Sequence, residues 1–108
     1  MDKAEEKNIY QKLVDEYGQK SRMVKTIEEL GELIVAISQF EFGKLDELSK
    51  NKVTIKHIAE EIADVEIMMA QMRIIIGKEL VDECKQKKLD ELRTMLEIKI
   101  RSRFVFQQ

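Results

Sequence analysis

Two short acidic runs carry residues whose types and spacing can do chemistry. Glu28-Glu29-Leu30-Gly31-Glu32 and Glu60-Glu61-Ile62-Ala63-Asp64 share one pattern: two acids, an apolar residue, a small residue and a third acid. Glu29 and Glu32 stand three residues apart, as do Glu61 and Asp64. On a helix, at about 100° per residue, that spacing places each pair on one face, about 60° apart. Glu28 and Glu60 widen the same faces. Two such helices side by side bring six carboxylates together, and like charges that close repel. A hard divalent cation offsets the repulsion, and magnesium suits carboxylate oxygens while keeping several waters. Glu29, Glu32, Glu61 and Asp64 are therefore candidate metal ligands. Magnesium is the expected ion, with manganese as a substitute.

A run of glutamates on a helix is ordinarily a solvated face. Two features set these runs apart. The pattern recurs, with small residues at Gly31 and Ala63 that would let helices approach closely. The acidic faces also continue as apolar ones, through Met68, Gln71 and Ile75 in one case and Leu33, Ala36 and Phe40 in the other. Acids on such faces are expected to be partly buried, and a buried acid needs a counter-charge, a proton or a metal.

The elements that must position them are helical. The chain has 108 residues, no proline and only 4 glycines, with 44% hydrophobic and 37% charged residues, which predicts long helices in one domain over residues 1–108. The expected fold is all-α, a four-to-five-helix bundle completed by dimerisation, because so short a chain leaves much apolar surface uncovered. The first helix is predicted over Asp2 to Tyr17, with Ile9, Leu13 and Val14 as its stripe and Gly18 as its cap. The second is predicted over Ser21 to Phe42, with Ser21 as N-cap. A polar connection at 43–53, able to hold a short helical turn, leads to a third helix capped by Thr54 and closed by Gly77. The fourth is predicted over Glu79 to Arg101, with Leu80, Leu89, Leu92, Leu96 and Ile100 as core positions. The tail RSRFVFQQ alternates apolar and polar residues, as a segment that packs on a partner chain or frays would.

The acidic pair resembles the signature of the all-α nucleoside triphosphate pyrophosphohydrolases of the MazG type: ExxE, a spacer, then ExxD. Glu29-Leu30-Gly31-Glu32 and Glu61-Ile62-Ala63-Asp64 fit it, with residues 33–60 between them. Tyr17-Gly18 and Lys25 resemble the lead into the family's first motif, with Arg22 where the family often has Gln. Residues 77–89 (GKELVDECKQKKL) resemble the stretch ending in a phosphate-contacting Asn-x-Lys, with Gln86 at the Asn and Lys88 at the Lys. The resemblance spans residues 10–93. It implies magnesium on Glu29, Glu32, Glu61 and Asp64, and water attack on the α-phosphorus of a nucleoside triphosphate. Monophosphate and pyrophosphate would be the products. It further implies Glu28 or Glu60 as the base, Lys25, Lys88 and Arg22 on the phosphates, and a homodimer or homotetramer.

Other features narrow the classes. A net charge of −2 offers no global field for nucleic acid. One cysteine, Cys84, excludes an intrachain disulfide, and MDKAEEKN has no apolar run behind its charges. A cytoplasmic protein with no membrane segment is expected. His57, one turn before Glu60, reads as an ordinary partly exposed histidine, and Met68, Met69 and Met72 as adaptable core filler. A ferritin-like di-iron site needs two Glu-x-x-His motifs, which one histidine cannot supply. A non-catalytic helical module that binds nucleotide or a partner, and a phosphoribosyl-ATP pyrophosphohydrolase, remain as alternative readings.

Overall fold

The computed structural model of the chain describes residues 1–42 and 53–106. Among them are four helices and no strand: α1 (Lys3–Tyr17), α2 (Gln19–Phe42), α3 (Ile55–Ile76) and α4 (Lys78–Phe106). The all-α expectation holds. The predicted short turn in the polar connection falls at 43–52, outside the described residues.

Local chemistry sets the helix ends. Asp2 caps α1, its Oδ1 accepting from the Glu5 backbone N–H at 2.8 Å. Glu5 and Glu6 place negative charge at the positive end of the helix dipole. Thr54 caps α3 in the same way, its Oγ1 accepting from the His57 N–H at 3.1 Å. Gly18 and Gly77 break the helical run with φ of 87° and 122°, a region that disfavours every L side chain.

Two predicted ends move. The second helix starts at Gln19, not Ser21, because the Gly18 carbonyl already accepts from the Arg22 N–H at 3.1 Å. Ser21 lies inside the first turn, with its hydroxyl toward Arg22 Nη2 at 3.3 Å. The fourth helix runs on to Phe106 instead of stopping at Arg101. Residues 102–106 (SRFVF) contain neither Gly nor Pro, so nothing interrupts the backbone ladder there.

The chain divides into two compact units, Met1–Ile75 and Ile76–Gln108. In the first, α1 packs on α2. Its buried apolar side chains among the described residues are Val14, Ala36 and Met68, each worth about 1.5–3 kcal/mol for the larger two. Polar groups share this core. The Thr26 hydroxyl donates to the Arg22 carbonyl at 2.7 Å. Gln71, 1% exposed, donates to the Ile67 carbonyl at 3.2 Å. Of the predicted first-helix stripe, Val14 is buried, Leu13 half-buried and Ile9 exposed. In the second unit, the predicted core positions Leu80, Leu89, Leu92, Leu96 and Ile100 are all exposed. No described helix is long and apolar enough to cross a membrane.

Candidate metal centre

The second turn of α2 begins with a cation. Lys25 Nζ lies 3.2 Å from Glu29 Oε1 and 3.6 Å from Glu28 Oε2. The hydrogen bond to Glu29, followed by the charges of Glu29 and Glu28, holds the Lys25 amine above its ordinary 10.5. Glu29 itself is buried, 8% exposed, and its Oε2 has no hydrogen-bond partner. Lys25 pairs with Oε1 alone, so the buried second oxygen of Glu29 is left without a partner.

Three residues on, Glu32 meets the same field. The negative charge of Glu29 comes first in raising its carboxyl above the ordinary 4.5. A hydrogen bond shared with Glu29, some burial and the charge of Glu61 add to this, and Lys25 opposes it. Glu61 arrives from α3 with its side chain 13% exposed and its Oε2 also buried without a partner. Its other oxygen faces His57, with Nε2 to Oε1 at 3.7 Å.

Carboxylate oxygens of Glu29, Glu32 and Glu61 lie within 4.8 Å of one another. A six-coordinate cation with bonds of about 2.1 Å holds its ligands about 3.0–4.2 Å apart, so a small closure of these side chains seats one. The orphaned buried oxygens of Glu29 and Glu61 and the strained proton equilibrium of Glu32 fit a divalent cation. An open groove of about 550 Å³ runs over the cluster, with Glu28, Glu32, His57 and Glu61 in its walls.

The remaining predicted residues are placed differently. Asp64 and Glu60 are exposed and stand outside the group of three. Gly31 does not mark a close helix approach. A Cβ built there meets nothing within 4 Å, because the residue faces the open groove. Arg22 stacks its guanidinium over the Tyr17 ring, 4.5 Å from the centroid. With Lys20, Lys25 and Glu28 it lines a second, basic groove of about 470 Å³. Lys88 is exposed on α4, in the second unit. Met68 is buried, while Met72 is half-buried and Met69 exposed. Cys84 is exposed and in no disulfide.

His57 is half exposed, as the sequence reading expects. It precedes Glu61 by four residues, as Lys25 precedes Glu29. The repeated pattern therefore includes a basic residue one turn upstream of each second acid.

No family model, no curated protein and no solved structure matches this chain.

Proposed function

We propose that the protein is a magnesium-dependent pyrophosphohydrolase that cleaves a nucleoside triphosphate to the monophosphate and pyrophosphate. One observation carries the reading: carboxylates from two helices converge, and two of their buried oxygens, on Glu29 and Glu61, have no partner. The motif resemblance supplies the reaction class.

In this reading Glu29, Glu32 and Glu61 hold the cation, and Asp64, which stands outside the group of three, joins it when the ion binds. Magnesium held there, with manganese as its substitute, would neutralise phosphate charge and supply an activated water. Glu28 takes that water's proton as the oxygen attacks the α-phosphorus and the bond to pyrophosphate breaks. Glu28 is favoured over Glu60 because it lines both grooves. The basic groove of Lys20, Arg22 and Lys25 adjoins it and suits the phosphates.

The exposed apolar residues of α2 and α4 support self-association as a homodimer or homotetramer. Ile27, Ile34 and Val35 of α2 and Leu89, Leu92 and Leu96 of α4 are about half exposed or more. A helix whose apolar stripe stays uncovered gains little from tertiary packing.

The test is incubation with magnesium and a panel of ribo- and deoxyribonucleoside triphosphates, followed by assay of pyrophosphate. Release from at least one is expected. No release from any of them removes the triphosphate reading and makes phosphoribosyl-ATP the next substrate to try. Orthophosphate in place of pyrophosphate would move the attack off the α-phosphorus.

A further inference from the structure

We propose that His57 supplies a nitrogen ligand to the cation held at Glu61, so that the centre accepts divalent transition ions as well as magnesium. The proposal rests on the metal reading above and sharpens it.

The geometry favours ligation over a simple contact. His57 Nε2 and Glu61 Oε1 are 3.7 Å apart, too far for a hydrogen bond. Two ligands on one cation, with bonds of about 2.1 Å, stand about 3.4 Å apart at a tetrahedral angle. The pair lies four residues apart on α3, so one helix face presents both groups without backbone adjustment. The imidazole is half exposed and lines the groove opposite Glu28 and Glu32. Glu29, 8% exposed, and Glu61 each carry a buried oxygen with no partner. His57 stands outside the group of three that meets within 4.8 Å, so its imidazole turns toward Glu61 to ligate.

The equivalent position on α2 is Lys25, whose ammonium has donors only and cannot ligate. The two turns are therefore not interchangeable. Carboxylates alone suit magnesium or manganese, and one imidazole moves the set toward manganese, cobalt and zinc.

His57 is the chain's single histidine, so an imidazole signal has one source. The full chain is loaded with Mn²⁺ and examined by electron spin echo envelope modulation. Imidazole ¹⁴N modulation is expected in the wild type and its loss in His57→Ala. Calorimetry should show Co²⁺ binding weakened at least about tenfold in that variant, since even outer-shell partners are worth that much. Mg²⁺ affinity should change less. Bound Mn²⁺ without ¹⁴N modulation overturns the proposal and leaves the metal centre standing. A wild type that binds no divalent ion overturns both. The wild-type spectrum decides the matter even if the variant folds poorly.

Discussion

The two acidic turns begin from nearly the same residues and end in different environments. On α2, Glu29 is buried beneath Lys25, a permanent cation, and its charge presses on Glu32. On α3, Glu61 is less buried and faces His57, a group that can bind a metal as well as a proton. The last position differs too. Both residues are exposed, yet Glu32 joins the cluster while Asp64, one methylene shorter, stays outside it. A repeated motif thus fixes where acids can meet, and the residues one turn upstream decide what each acid is prepared to do.

The largest expected effect tests whether both turns serve one cation. Outer-shell partners alone are worth about 10–100-fold in metal affinity. Glu29→Gln and Glu61→Gln should therefore each weaken Mn²⁺ binding by at least about 100-fold and abolish pyrophosphate release, with the helical circular dichroism retained. A small change in either one, measured by titration calorimetry, would assign the cation to the other turn alone.

Asp64→Asn is expected to reduce Mn²⁺ affinity less, by about tenfold, because its carboxylate lies outside the group of three and has to move to join it. It should still stop turnover in the same assay. An unchanged affinity would show that Asp64 stays outside the centre when the ion binds.

The third contrast is in pH. The Glu32 carboxyl is held above 4.5 in the folded protein, chiefly by the charge of Glu29. Protonation therefore favours the fold, and the repulsion is fully present above the raised value and relieved as pH falls toward 4.5. Without metal, Glu32→Gln should melt higher than the wild type at pH 7, and the gap should close as the pH is lowered through that window. Saturating Mg²⁺ should reverse the order at pH 7. An unchanged gap across the range would remove Glu32 from the cluster's electrostatics.

The smallest effect concerns the matching small residues. Gly31→Ala meets no atom within 4 Å, and replacing a helical glycine is worth about 0.5–1 kcal/mol. Tm should rise by about 2–6 °C for a chain of this size. A fall would restore the close-approach reading of Gly31.

Much of this was legible in the sequence, for identifiable reasons. Asp2, Thr54, Gly18 and Gly77 act through bonds to their own neighbours, so helix ends near them could be read directly. Period and spacing sufficed to bring Glu29, Glu32 and Glu61 together. The exposure of Leu89, Leu92 and Leu96 was not legible, since an apolar stripe records that something should cover it, not whether this chain does. Nor was the isolation of Asp64, which depends on reach between helices.

Gly18 bears on how freely this chain can vary. A Cβ at that position meets nothing within 4 Å, so by packing alone any residue fits. Its φ of 87° nevertheless disfavours all L residues. A mutational library should therefore be depleted of β-branched residues at position 18 despite its open surroundings. A synthetic chain carrying D-alanine there should fold better than one carrying L-alanine, because the filter is the handedness of the residue and not its bulk.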